Sequence, residues 1–296
     1  MRLTLRVPRR AVAATAVALL ATAAAGCAPQ PDDKAAPASS GSSTGAACAK
    51  GALSTTAAGK LTVGTDTPAY EPWFKDDKPS SGQGFESAVA YAVAQRLGYA
   101  KSAVVWQTVP FNKAFAPGVK TFDFDINQVS ISDERKKAVD FSSGYYDVRQ
   151  AVIALKGTKA AQAKSIADLK GLKLGAQVGT TSLEYIQDVV KPAQQAAAYA
   201  ENDQAKAALQ NKQVDAIVVD LPTAFYITGA EITDATIVGQ FENRGATPEQ
   251  FGLVLDKGSA LTPCVTAAVD ALRKDGTLAK LEQQWLSDAV SAPVLK

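Results

Sequence analysis

The chain has 296 residues, 47% of them hydrophobic, with 31 Lys and Arg against 29 Asp and Glu, three Cys and no His. A net charge of +2 gives no electrostatic reason to bind nucleic acid, and the apolar fraction is that of a globular protein, not a disordered one. Zero histidine removes Ser-His-Asp and Cys-His nucleophile pairs and the commonest zinc ligand, and the cysteines have no CxxC spacing, so neither metal nor cofactor is expected. A binding protein is the simpler expectation; an enzyme would have to work with carboxylates, Lys, Tyr or Arg.

Residues 1–26 place Arg2, Arg6, Arg9 and Arg10 before an Ala/Val/Leu run over 11–25, the layout of a secretory signal. The run of 15 residues is shorter than the roughly 20 a membrane-spanning helix needs. Ala24, Ala25 and Gly26 stand directly before Cys27. This resembles a bacterial lipobox, with Ala24 where a large aliphatic residue is usual, and implies a lipid on Cys27 that anchors the chain to the bilayer outside the cytoplasm. An ordinary signal peptide with a nearby cut is the alternative. Removal of 1–26 takes away four positive charges and no negative ones, turning +2 into −2.

Residues 28–47 contain no Leu, Ile, Val or aromatic side chain, so they cannot bury a core and read as a tether with a reach of about 25 Å. Residues 27–58 are therefore anchor and tether. Cys48 and Cys264 remain as a pair in an oxidising setting and are expected to be joined.

Beyond Lys60 the pattern alternates. A short strand is predicted over 61–64, and Phe85, Val89, Ala92, Val93 and Leu97 recur at helical spacing before Gly98. Strand-like residues follow over 104–109, and FDFDINQVSI over 122–131 alternates with period two. Residues 133–139 predict a short polar helix and 148–155 a strand. A second set follows, with a strand at 173–177, helices at 183–190 and 203–210 and a strand at 216–219. A strand at 251–255 and helices at 261–273 and 278–285 close the chain. Such alternation predicts an α/β fold with a largely parallel sheet in each half and ligands outside the carboxyl ends of the strands.

Polar residues gather just past those strand ends: Asp66; Asn127, Gln128, Ser130 and Arg135; Gln177, Thr180 and Thr181; and Asp220. Thr181-Ser182-Leu183-Glu184 fits a capping box, whose helix N-terminus favours an anion. Arg135 in a first helical turn runs against the helix dipole, which points to a task elsewhere; bidentate capture of a carboxylate suits Arg best. Asp220 at the end of an apolar strand is the natural partner of an ammonium. Arg for a carboxylate and Asp for an ammonium together describe an α-amino acid. Each residue also has a plainer reading: DERKK as a solvated helix face, Asp220 as the cap of the next helix.

The segment 127–146, NQVSISDERKKAVDFSSGYY, closely resembles the signature of family 3 solute-binding proteins, the amino-acid receptors of bacterial ABC importers. The resemblance runs over about 60–285 and includes VGTDTPAYEPW, GFESAVAYAVAQRLGY, GAQVGTTS and VDAIVVDLP. It implies an α/β, two-lobed type II periplasmic-binding-protein fold with two hinge crossings: lobe 1 over 59–146 plus 251–290, lobe 2 over 147–250. By that resemblance Arg135, Ser130 and Thr181 hold a ligand α-carboxylate, and Asp220 and the backbone near Gln128 hold its α-ammonium. Tyr70 and Phe111 pack on the ligand side chain, and Asp66 and Gln177 face its variable end. It also implies a monomer whose closed shape is read by a membrane permease. Asn127-Gln128 in INQVSIS resembles cystine-binding members, making cystine or another polar amino acid the candidate. The stretch 113–121 departs from the family's usual helix. A cyclohexadienyl-dehydratase-like enzyme with Asp66 as acid, or a sensor for a signalling membrane protein, are the alternatives.

Overall fold

A computed structural model describes Cys48 and residues 50–287 and 291–296. The signal segment, Cys27 and most of the tether lie outside the described residues.

The LTVGT segment forms β1 (Leu61–Thr65), buried along its whole length, as expected of a strand covered on both faces. It pairs in parallel with β2 (Val104–Thr108) and β3 (Phe124–Asp125). β4 (Val139–Val148) completes the same sheet through β10 (Glu249–Asp256), giving the order β2-β1-β3-β10-β4. The second sheet carries β5 (Gln150–Leu155), β6 (Leu174–Gln177), β7 (Ala197–Tyr199), β8 (Ala216–Asp220), β9 (Ala235–Phe241) and β11 (Val294–Leu295), in the order β11-β9-β5-β8-β6-β7. Two lobes result, joined where β4 passes into β5 through Arg149, where β9 leads to β10, and a third time where the chain runs from helix Thr277–Leu286 of the first lobe to β11 in the second sheet, one passage more than the two expected.

Both sheets are mixed, which corrects the expectation of largely parallel ones. β10 is antiparallel to β3 and β4, and β5 is antiparallel to β8 and β9. The cause is the crossing itself. β1, β3, β6 and β8 end at the boundary between the lobes, whereas β5 and β10 start there, so each runs against its neighbours.

Further departures have local causes. The expected strand over 122–131 is reduced to β3, because the chain turns at Gln128, whose φ is 50°, and returns only as a single bridge from Ser130 to Phe251. A left-handed residue interrupts the pleat and carries polar side chains away from the sheet. The expected helix over 133–139 is a short 3-10 turn, Arg135–Lys137. The expected strand over 148–155 is two strands: all of β4 except its last residue went unread, since VDFSSGYYDV lacks clean alternation and is held by irregular pairing with β10. The helix expected from 183 starts at Thr181–Glu184 and widens into a π-helical turn, Tyr185–Val190.

Helix Phe85–Arg96 and the two C-terminal helices, Thr262–Lys274 and Thr277–Leu286, pack in the first lobe. At the centre of this core Trp73 meets Phe85, Tyr146 and Phe251 edge-on, with ring centroids 5.5–6.0 Å apart, a favoured aromatic geometry. In the second lobe β5 alternates between two cores, Val152 and Ala154 facing one and Ala151 and Ile153 the other. Both faces of that sheet are therefore covered. Cys48 and Cys264 are disulfide-bonded with Cα atoms 5.3 Å apart, tying the start of the folded part to the Thr262–Lys274 helix. Among the described residues no helix is long and apolar enough to cross a membrane.

Candidate functional site

The strand ends of both lobes meet at one small cavity of about 30 Å³, room for one or two waters, so an amino acid enters it only when the lobes part. Asp66, Tyr70, Phe111, Asn127, Gln128, Ser130, Arg135, Gln177, Thr180, Thr181 and Asp220 all line it, together with Ser182 and Asn202.

Arg135 is 8% exposed. One guanidinium nitrogen donates to the Ser130 carbonyl at 2.6 Å and another to the Gly179 carbonyl at 2.9 Å, so this side chain touches both lobes. Its Cζ lies 4.3 Å from the Phe115 ring centroid and 5.7 Å from that of Phe111. Stacking fixes the plane of the guanidinium. Burial lowers the Arg135 pKa, and the negative charges of Glu184, Glu249 and Asp220 oppose that shift. Phe111 thus lies with Phe115 beside the cation, their rings 5.2 Å apart and nearly perpendicular.

Asp220 ends β8 and precedes helix Leu221–Tyr226, but its side chain makes no capping bond there. Instead Oδ1 accepts from Gln150 Nε2 at 2.7 Å. Burial pushes its pKa up to about 8; Glu249 adds to the rise, while the Gln150 hydrogen bond and Arg135 oppose it. A carboxyl in this state gains most from a cation placed beside it.

Thr180, not Thr181, caps the helix that follows: its Oγ1 accepts from Leu183 N at 3.2 Å and donates to the Gln177 carbonyl at 2.7 Å. This moves the cap by one residue, puts Leu183 at the third helical position so that the expected reciprocal capping box does not form, and leaves the Thr181 hydroxyl at the cavity, 3.3 Å from Gln150 Nε2 and 3.4 Å from Ser130 Oγ. Gly179 has φ 77°, and a Cβ there would collide with Asn112 of the opposite lobe.

Two expected ligand contacts are already engaged within the protein. Both Asp66 oxygens accept backbone N–H groups, from Thr67 at 2.7 Å and Phe111 at 2.9 Å, so this carboxylate holds two loops together. The Gln128 backbone N–H donates to Glu86 Oε1 at 2.8 Å, and the Gln128 side chain and the Tyr145 hydroxyl also donate to Glu86. Glu86 is fully buried, and burial raises its pKa to about 7 against the effect of those hydrogen bonds. Asn127 Nδ2 is buried without a partner. Tyr70 lies beneath the Lys206 ammonium, 5.4 Å from the ring centroid, and burial raises its pKa.

Sequence reasoning missed Glu86, Phe115, Gln150, Ser182 and Glu249. Glu86 had a legible signal, because it falls on the stripe with Val89, Ala90 and Val93 and a charge on an apolar stripe needs a reason. Gln150 and Glu249 had none, since each matters only because it starts a strand at a crossing.

The model of bacterial extracellular solute-binding proteins, family 3, matches residues 61–288. The chain is 30% identical over 234 residues to the L-cystine-binding protein TcyJ of Escherichia coli K12, covering 79% of this chain and 85% of that one. An ancestral arginine-binding protein bound to arginine aligns with a TM-score of 0.64 at 31% identity, over 77% of this chain and 98% of that one. The ancestral amino-acid-binding protein AncCDT-1, a precursor of cyclohexadienyl dehydratase, gives 0.62 at 29% identity, over 77% and 95%. The lobes, the crossings that join them and the cavity between them form a type II periplasmic-binding-protein fold, and the chain belongs to the bacterial extracellular solute-binding proteins, family 3.

Proposed function

We propose that the protein is the lipid-anchored substrate-binding component of an ABC importer and holds a polar amino acid as a zwitterion between its lobes. The observation that carries this reading is one cavity lined by a buried guanidinium, Arg135, and a half-buried carboxyl, Asp220. In it Arg135, Ser130 and Thr181 take the α-carboxylate and Asp220 takes the α-ammonium. Tyr70 and Phe111 pack on the side chain; Asn127, Gln128, Gln177 and Thr180 line the remainder. Lobes of 59–146 plus 251–290 and of 147–250 close about the crossings, and the closed monomer delivers its ligand to the permease. Cys27 carries the lipid that keeps it outside the cytoplasmic membrane. The similarity to TcyJ makes L-cystine the first ligand to try, followed by L-arginine.

Isothermal titration of the chain from Ala28 onward, against the common L-amino acids and L-cystine, tests this. Saturable binding without product supports it. Arg135→Ala should weaken binding by at least about 100-fold, since a charge-assisted bidentate contact is lost at a buried site. Retained affinity in that variant removes the assignment of the carboxylate.

A second reading has one observation in its favour. A half-buried Asp220 with a pKa raised to about 8 holds a proton at neutral pH, as a general acid does, and AncCDT-1 shows that this fold has a precursor of cyclohexadienyl dehydratase among its members. Turnover of arogenate or prephenate would establish that reading instead.

A further inference from the structure

Glu249 is the first residue of β10 and pairs with Val148, the last residue of β4, so it stands where the first two crossings meet. Its Oε1 accepts from Ser130 Oγ at 2.6 Å and lies 3.3 Å from Gln150 Nε2. Ser130 Oγ is also 3.4 Å from Thr181 Oγ1, and the charge of Glu249 acts on Arg135. Ser130, Thr181 and Arg135 are the groups assigned above to the ligand α-carboxylate. A serine hydroxyl has one hydrogen to donate, and Ser130 gives it to Glu249. A ligand carboxylate arriving at that donor meets a like charge already bonded to it.

We propose that Glu249 is a resident carboxylate: it takes the Ser130 hydroxyl that the ligand α-carboxylate needs and must give it up when an amino acid binds, so that it sets the affinity of the site. The inference rests on the amino-acid reading of the cavity. Glu249 has a place to go. It lines a second, more open groove with Lys136 and Arg244, where the displaced carboxylate would join the exposed ion pairs that Lys136 makes with Asp133 and Arg244 with Glu184 and Asp188. A ligand with an ammonium but no carboxylate leaves Glu249 where it is.

Glu249→Gln keeps the shape and an acceptor while removing the charge. The test is titration of wild type and this variant with the common L-amino acids and L-cystine, and with agmatine and cystamine as amines lacking the carboxylate. The variant should bind its amino acid more tightly by on the order of tenfold, the scale of a hydrogen bond to a charged group, with no gain for the amines. Equal or weaker amino-acid binding in the variant overturns the proposal while leaving the binding reading intact; weaker binding would make Glu249 a second counter-charge for the ammonium. Absence of binding by both proteins removes the binding reading and this inference with it. A ligand-independent check uses urea unfolding of Ser130→Ala, Glu249→Gln and the double variant. Non-additivity in the ligand-free protein supports the contact, and strict additivity overturns it.

Discussion

Asp220 shows how a single side chain links burial to pH. Its pKa of about 8 in the folded protein lies far above the roughly 3.9 of an unfolded aspartate, so the folded state holds a proton that the unfolded state releases. Stability from this group is fully present below about pH 4 and is lost as pH rises through about 8. Glu86 contributes with the same sign, its part being lost between about pH 4 and about 7, whereas Arg135 opposes the shift at Asp220 and Glu249 reinforces it. Urea midpoints of the ligand-free protein should therefore fall between pH 6 and 8, and Asp220→Asn should flatten the upper part of that fall. Binding runs the other way, since an ammonium is held by the ionised carboxylate. Affinity for an amino acid should rise up to about tenfold per pH unit toward pH 8, and titrations showing a pH-independent affinity would remove Asp220 as the ammonium partner.

At the scale of the element, the Thr180–Ser182 turn is decided by which threonine caps. Thr180 satisfies Leu183 N, leaving Thr181 and Ser182 to reach Ser130 and Gln150. Thr180→Ala should cost about 1 kcal/mol of stability, the usual cost of a lost N-cap, with Thr181→Ala costing less in the ligand-free protein. If urea unfolding gives the opposite ranking, the cap belongs to Thr181 after all. Elements resting on local pattern were legible in the sequence: Phe85–Arg96, Thr262–Lys274 and Thr277–Leu286 have apolar stripes and a Gly nearby, at Gly84, Gly98 or Gly276. Elements resting on distant partners were not. β4 acquires its strand character from β10, more than a hundred residues further along the chain, and β9 went unread although ATIVGQF is held between β5 and β11.

For the whole molecule, contacts across the lobes carry the consequences of closure. Trp73 of the first core donates to Thr223 Oγ1 at 2.9 Å, and Arg135 donates to the Gly179 carbonyl. The Cys48–Cys264 bond spans a sequence separation of 216, for which chain entropy gives a stabilisation of roughly 5 kcal/mol as an upper figure. Reduction, or Cys48→Ser with Cys264→Ser, should lower the thermal midpoint by several degrees without altering ligand affinity, because the bond lies in the first lobe away from the cavity. A thiol count of two on the denatured, unreduced chain from Ala28 onward would mean the bond is not formed.

Composition and local order alone determined that there is no histidine chemistry, that the positive balance resides in residues 1–26, and that Arg, Asp, Ser and Thr follow strand ends. They also carried the resemblance that placed eleven residues in one site, all of which line one cavity. Tertiary structure decided which of those groups are already engaged. Asp66 is held by two backbone amides and the Gln128 amide by Glu86, while Ser130 is held by Glu249. Strand direction was likewise a tertiary matter. The physical reason is common to both: periodicity and capping act within a few residues, whereas a hydrogen bond between residues 130 and 249, or the direction of a strand entering from the other lobe, exists only once the chain has crossed twice.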